Sequence, residues 1–348
     1  MSESSKAAGW RLFDQIVADA PFRTENPWRL NDAGAAEYVP DYDTLRLLLA
    51  VPLLLRANSQ SGVPALALDV WTAYEMRRAG FDPDRVWPRD EVPRVLPGEV
   101  TTLMSGLPKG LEAQVRERVA TGKVRGVTLA SANLLGKNYV KQVDVVMSSW
   151  QTGPELMVST KRMDSSFGKN AANRVEESYG DAKNLRLRHP QSALGFFYSL
   201  RSTALTQEPD KAAWLIDLLA KLGREDDAYD AVGLIIPEWD DRIDIDEGDD
   251  DGVDPLVAAG IEEVSDDDHD DAPADLPAHE VAESIARLPE VRLRFDEVPP
   301  DLSPARLLAI MVDRVLANSP INFHVEARSR RRSPATGPSA DDLRASSQ

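Results

Sequence analysis

The chain has 348 residues, 42% of them hydrophobic, enough for one large core or two smaller ones, and it has no cysteine, which excludes disulfides and thiolate metal sites. Its four histidines, His189, His269, His279 and His324, lack metal-ligand spacing, so a bound metal would take oxygen ligands, as Mg²⁺ and Mn²⁺ do. The net charge of −18 is local: Glu238 to Asp275 carries −17 (18 acids and one base, Arg242), which leaves about −1 for the rest, so a basic face for nucleic acid is not excluded.

The opening MSESSKAAGWRLFDQ lacks the apolar core of a signal peptide. The longest apolar run, LRLLLAVPLLL at 45–55, is too short to span a bilayer and contains Pro52. A cytoplasmic protein without membrane contact is therefore expected. Apolar residues recur at helical spacing in GWRLFDQIVADA, in DYDTLRLLLAVPLLLRANS and in VPALALDVWTAYEMRRAG, which ends at Gly80 as a C-cap. The Pro-rich FDPDRVWPRDEVPRVLPGE reads as a connecting loop, and PKGLEAQVRERVATG as a helix opened by Pro and closed by Gly.

The pattern then changes. NYVKQVDVVM (138–147) and PELMVSTK (154–161) are β-type runs around SSWQTG, a stretch suited to a hairpin turn. SSFGKNAANRVEESYGDAKNLRLR follows as a helix with Ser165 or Ser166 as cap. SALGFFYSLRSTAL reads as an apolar helix, DKAAWLIDLLAKLG as an amphipathic one, and DAVGLIIPEW (230–239) as a buried strand. VRLRF (291–295) is a further strand candidate, and SPARLLAIMVDRVLANSP a helix with Ser303 at its N-cap and Pro304 in its first turn.

These elements divide the chain into a helical N-terminal region (1–104), an α/β core (105–239), an acidic segment (240–280), a C-terminal strand and helix packing on the core (281–325), and a tail (326–348). The acidic segment and the tail are expected to be disordered, since neither holds enough apolar surface to fold. The acidic segment reads as a solubilising loop, with a DNA-mimicking or partner-docking role as the alternative. The basic run Arg328 to Arg332 adds non-specific DNA affinity on this reading.

The chemistry concentrates in 138–190. Side chains alternate along a strand, so Ser159 and Lys161 share a face with Glu155 and Met157, and Asp144 shares one with Gln142 and Val146. A hairpin would bring Asp144 and Lys161 together at one sheet end. A helix starting just after Lys161 would return Glu176 or Glu177 to the same place. Two carboxylates hold a divalent metal, which activates water and neutralises phosphate charge, and a lysine orients that water. No histidine is placed to activate Ser159, so it reads as a small neighbour rather than a nucleophile. Glu155 lies two pleats further off, as a supporting carboxylate or a strand start. From Lys161 to Arg201 there are eight Lys or Arg against four Asp or Glu, and Lys169, Asn170, Asn173, Arg174, Lys183, Arg186 and Arg188 supply donors for phosphates. Each of these residues also has a plainer reading, as an edge-strand Asp, a solvated strand end or an exposed helix face.

The pattern Asp144, Ser159-x-Lys161 and a glutamate on the next helix resembles the active site of the restriction-endonuclease-like PD-(D/E)xK nucleases. It departs from them in two ways. Val143 stands in place of the proline, and Ser159 in place of the acid. A subgroup of those enzymes carries Ser or Thr at that position and recruits a glutamate from the following helix; here 14 residues separate Lys161 from Glu176. The resemblance covers roughly 105–237 and is tightest over 140–190. It implies a mixed sheet core flanked by helices and a Mg²⁺- or Mn²⁺-dependent DNA endonuclease of restriction or anti-phage defence. Asp144, Glu176 (or Glu177) and the Thr160 carbonyl would hold the metal, and Lys161 would orient the water. It also implies a homodimer for double-strand cuts. A catalytically degenerate DNA-binding scaffold, or a subunit docking a defence-system partner, are the alternatives.

Overall fold

The computed structural model describes residues 4–58, 61–121, 124, 132–165, 167–241 and 276–335. Residues 242–275 and 336–348, where disorder is expected, lie outside the described set.

The N-terminal part comprises α1 (Ser5–Asp19), a small hairpin of β1 (Trp28–Leu30) and β2 (Ala36–Tyr38), α2 (Tyr42–Leu54) and α3 (Val63–Arg78). Asp41 caps α2, its side chain accepting from the Thr44 amide at 3.0 Å. Next come β3 (Val86–Trp87), inside the Pro-rich stretch expected to be a plain loop, then α4 (Gly98–Ser105) and α5 (Lys109–Ala120).

The run 138–147 forms two strands. β4 (Ala132–Leu135) pairs with β5 (Val140–Val143), while β6 (Val145–Ser149) pairs antiparallel with β7 (Gly153–Met163). Asp144 sits at the break between β5 and β6. After β7 the chain runs through α6 (Phe167–Arg186) to β8 (Ala193–Leu200), which lies parallel to β7. The segment expected as an apolar helix at 192–205 is thus mostly strand. All eight residues of β8 are buried, because it occupies the middle of the sheet with a layer on either face; such a strand loses the alternation that marks an exposed one. A short helix, α7 (Thr203–Gln207), ends that segment, followed by α8 (Pro209–Leu222), β9 (Ala231–Ile235) and β10 (Pro237–Glu238). Past the undescribed residues come α9 (Ala278–Ala286), β11 (Arg292–Leu293), α10 (Pro304–Asn318) and α11 (Val325–Arg332).

The central sheet has the order β3-β6-β7-β8-β9, antiparallel at β6/β7 and parallel across β7/β8/β9. It is the middle of three layers. Leu156, Val158 and Phe197 point to one face, into a core with α1, α2, α3 and α10. Met157, Phe196 and Tyr198 point to the other, into a core with α6 and α8. The N-terminal helices therefore share one continuous core with the sheet. Among the described residues, no helix is long and apolar enough to cross a membrane.

The basic run expected to be disordered is largely helical. α11 docks against the N-terminal hairpin: the Arg331 guanidinium lies 4.2 Å from the Trp28 ring centre, and Arg331 pairs with Asp313 at 2.9 Å. Arg330 donates to the Arg78 carbonyl at 2.6 Å. These guanidiniums are committed within the fold, which explains why so polar a helix is held. Gly80, at φ +97°, is where α11 meets the end of α3; a Cβ there would come within 2.8 Å of the Ala327 amide nitrogen. Gly80→Ala combines backbone strain with a backbone clash and should cost about 2–3 kcal/mol, read as a lower denaturation midpoint. A loss under about 0.5 kcal/mol would mean that α11 is not seated there.

Candidate active site

Two carboxylates meet at Thr160, in the middle of β7. The Thr160 amide donates to Asp144 Oδ2 at 2.7 Å, and the Thr160 hydroxyl donates to Asp69 Oδ1 at 2.5 Å. The geometry follows from the pleat. Thr160 faces the α3 layer, where Asp69 reaches it from the second turn of that helix. Asp144 comes from the strand break and takes the Thr160 amide, which lies beyond the first β6–β7 pair, Val145 and Val158. Lys161, the next residue, turns to the α6 face with Ser159 and is partly buried.

Asp69 is 7% exposed, and its carboxyl is pushed well above the ordinary range by burial and by the neighbouring Asp144 charge; the Thr160 hydroxyl and Lys161 pull the other way. The Asp144 carboxyl is also raised, by burial, against opposing pulls from Lys161, the Thr160 amide and Lys141. A buried and a half-buried carboxylate that share Thr160 favour a proton or a cation between them. Their oxygens, with the Thr160 carbonyl, form a hard-donor set that fits Mg²⁺ or Mn²⁺ in type. Among the described residues, no three His, Asp or Glu side chains converge on one metal position.

The α6 helix supplies a different acid from the expected pair. Glu176 and Glu177 are exposed, while Val175, Ser178 and Ala182 take the buried side of the helix. Neither glutamate is brought to Asp144. One turn later, Asp181 lies close enough to raise the Asp144 carboxyl. Lys141 pairs with Asp181 at 2.7 Å, and Tyr139 donates to it at 2.9 Å. The helix starts too far along for Glu176 to look inward, because the inward row passes through 175, 178 and 182. Tyr229 closes this side, donating to the Ser178 carbonyl at 2.9 Å and stacking on Phe196 at 5.2 Å; burial pushes its hydroxyl well up.

Glu155 belongs elsewhere. It sits six residues before Lys161, roughly 20 Å along the strand, where it accepts from Thr152 at 2.9 Å and bonds His324 at 2.7 Å. It supports the opposite end of the sheet.

The expected phosphate donors separate into three groups. The side chains of Lys169, Asn170, Asn173 and Arg174 lie outside the described residues, although their backbone belongs to α6. Arg186 is internal: it pairs with Asp230 at 2.7 Å and donates to the Ser192 carbonyl at 2.9 Å, tying the end of α6 to β8 and β9. Lys183 pairs with Asp227. Arg188 is exposed.

Asp69 is the site residue that the sequence reading missed. One acid inside the otherwise apolar ALALDVW is a signal, since a buried carboxylate needs a partner or a purpose. It sits 75 residues before Asp144, however, and only the packing of α3 on the sheet joins them. Compared with known proteins, the chain matches no family model, no curated sequence and no solved structure.

Proposed function

We propose that the chain is a metal-dependent DNA endonuclease with its active site around Asp69, Asp144 and Lys161. The observation that carries this reading is the bridging of buried Asp69 and half-buried Asp144 by Thr160, with Lys161 as the next residue of the same strand. Such a pair fits a divalent cation better than it fits two bare charges. The resemblance of Asp144, Ser159 and Lys161 to the PD-(D/E)xK pattern points the same way. So does the crossover from an antiparallel hairpin through a helix to a parallel strand.

When bound, Mg²⁺ or Mn²⁺ would supply charge neutralisation at the phosphate and acidify water. Asp69 and Asp144 would hold it, with the Thr160 carbonyl. Thr160 fixes both carboxylates through its amide and hydroxyl, so they are oriented before substrate arrives. The Lys161 ammonium donates to the attacking water or to the charge that develops on phosphate. Asp181, fixed by Lys141 and Tyr139, keeps the α6 side of the site acidic without adding an unpaired charge. Arg188, exposed just beyond the end of α6, would contact the DNA backbone. In this arrangement Asp69 takes the place that the sequence reading gave to Glu176 or Glu177.

A second reading is favoured by Ser159 standing where a carboxylate is expected and by the pairing of Asp181 with Lys141. It is a catalytically silent DNA-binding subunit, in restriction or defence, that keeps the fold. One experiment separates the two. Supercoiled plasmid, methylated and unmethylated phage DNA are incubated with wild type, Asp144→Ala and Lys161→Ala, with Mg²⁺ and with EDTA. The nuclease reading expects Mg²⁺-dependent cutting that falls by about 10²–10⁴-fold in either variant. DNA binding without cutting in any form would establish the silent subunit. Cutting that survives both substitutions would place the chemistry elsewhere.

A further inference from the structure

The ribbon of β4 and β5 is a separate two-stranded sheet beside the central one, and its stretch of chain carries charge of one sign only. Between Glu117 and Asp144 lie five Lys or Arg and no Asp or Glu, in a chain that has 58 acids. The pleat gives the ribbon two unlike faces. Ala132, Leu134 and Val143 pack into the core shared with α6. Asp181, the acid that touches the ribbon, is taken by Lys141 and Tyr139. On the outer face Asn133 and Gln142 stand directly opposite each other, both exposed. Among the described residues neither side-chain amide has a hydrogen-bond partner.

The tip of the ribbon is held still. The Asn184 side chain, itself buried, accepts from the Asn138 amide at 2.8 Å and donates to the Tyr139 carbonyl at 3.0 Å. The Asn184 backbone carbonyl accepts from the Lys137 amide at 2.8 Å. The approach is so close that a Cβ at Gly136 would come within 2.1 Å of the Asn184 side chain. The His189 ring donates to the Leu135 carbonyl at 3.0 Å. By contrast, the side chains of Lys137 at the tip and Arg188 beside His189 are exposed, and neither pairs with an acid among the described residues. A fixed backbone that presents free cations loses little freedom on meeting a polyanion.

Position narrows the partner. β5 leads straight into Asp144, and from Val140 the four residues of extended chain span about 13 Å. The major groove of B-DNA, about 12 Å wide, admits a two-stranded ribbon, whereas that of duplex RNA is too deep and narrow. Side-chain amides of Asn and Gln match the N6 donor and N7 acceptor of adenine. We propose that the β4–β5 ribbon enters the major groove of duplex DNA, with Lys137 and Arg188 on phosphates and Asn133 and Gln142 on adenine edges. This inference rests on DNA being the substrate in the proposed function, and it does not need the chain to cut.

The test is fluorescence anisotropy of the full chain with a labelled A·T-rich duplex of about two helical turns, in EDTA and in Mg²⁺. Lys137→Gln should weaken binding about three- to tenfold and lower the slope of log affinity against log salt by about one. The double variant Asn133→Ala, Gln142→Ala should weaken the A·T-rich duplex by about fivefold or more and a G·C-rich one much less. Replacing every adenine by 7-deazaadenine, which lacks the N7 acceptor, should weaken wild type by a similar factor. Arg287→Gln makes the same charge change on the α1 side of the sheet and should leave affinity unaltered. All the substituted residues are exposed, so thermal midpoints should not move. No duplex binding by wild type, full binding by Lys137→Gln or by the double variant, indifference to 7-deazaadenine, or equal affinity for duplex RNA would each overturn the proposal. Mg²⁺-dependent cutting at the wild-type rate by both ribbon variants would overturn it too, yet leave the nuclease reading standing. Ribbon-dependent binding with no cutting by any form would support the ribbon and remove the nuclease.

Discussion

Asp69→Asn is expected to raise the stability of the protein and, on the proposed nuclease reading, to abolish cleavage. The Asp69 carboxyl is held above its ordinary value of 3.8, by burial first and by the Asp144 charge second. The folded state therefore binds this proton more tightly than the unfolded chain does. The resulting contribution is fully present below the unfolded value and is lost as pH rises through the folded one. At neutral pH and above, wild type carries the cost of ionising a buried group. Asparagine carries none, and its side-chain oxygen still accepts from the Thr160 hydroxyl. The thermal midpoint of Asp69→Asn should exceed that of wild type by about 2–4 °C at pH 8 without metal, and the gap should close in acid. Mg²⁺ at about ten times its Kd should add ~1.4 kcal/mol to wild type and little to the variant. If the Asp69–Asp144 cluster is the active site, plasmid cleavage should fall by at least about 10²-fold. A variant less stable than wild type at every pH would show that Asp69 is structural only. A variant that cuts normally would remove Asp69 from the chemistry.

The second large effect is expected at Glu75, one and a half turns beyond Asp69 on α3. Glu75 is 0% exposed and accepts from the Asp41 amide at 2.7 Å, the Tyr38 hydroxyl at 3.0 Å and Arg78 at 2.8 Å. Arg78, itself 3% exposed, also donates to the Phe22 carbonyl at 3.0 Å. The cluster joins the N-terminal hairpin, the cap of α2 and α3. Removing the carboxylate leaves the Arg78 guanidinium and the Asp41 amide buried without this acceptor, while the Tyr38 hydroxyl keeps the Glu75 backbone carbonyl at 2.9 Å. Glu75→Ala should cost about 3–5 kcal/mol by denaturant titration. Glu75→Gln keeps an acceptor and should cost less. A loss under about 1 kcal/mol for the alanine variant would show that water enters the cluster freely.

The legibility of this chain in its sequence differs from element to element. Asp144 and Lys161 stand out because each is a charged residue in a β-type run and the runs flank a turn, so a hairpin brings them to one sheet end without knowledge of anything distant; the structure sets Asp144 at the break just before β6. The α3 helix is equally plain from its spacing and its terminal Gly80. Its role is not, because periodicity shows that a face is buried and is silent on what it is buried against. For that reason Asp69 could not be joined to Thr160. On α6, Glu176 and Glu177 match an expected spacing from Lys161, whereas the inward row of the helix is fixed by where the helix begins, and that favours Asp181. The β8 segment reads as a helix because Leu194 to Leu200 is apolar but for Gly195 and Ser199. A strand covered on both faces and a buried helix look alike over such a length. The run at 328–332 reads as a disordered basic stretch; the carboxylates that hold Arg330 and Arg331 are near in sequence, Glu326 and Asp313, but the Arg78 carbonyl and the Trp28 ring that seat the helix lie far back in the N-terminal part.

That last separation sets an order of events in synthesis. Asn26 donates at 3.0 Å to the carbonyls of Arg330 and Ser333, and the Ala335 amide donates to Trp28 at 3.0 Å, across 304 residues or more. At a translation rate of about 5–20 residues per second, Asn26 leaves the ribosome roughly 15–60 s before its partners exist. Through that interval the hairpin, Trp28 and the end of α3 have no outer cover, and the layer carrying Asp69 lacks its last brace. A nascent chain in that state is a natural client for chaperones. The layer carrying Asp69 is therefore fully braced only after Ala335 has been added.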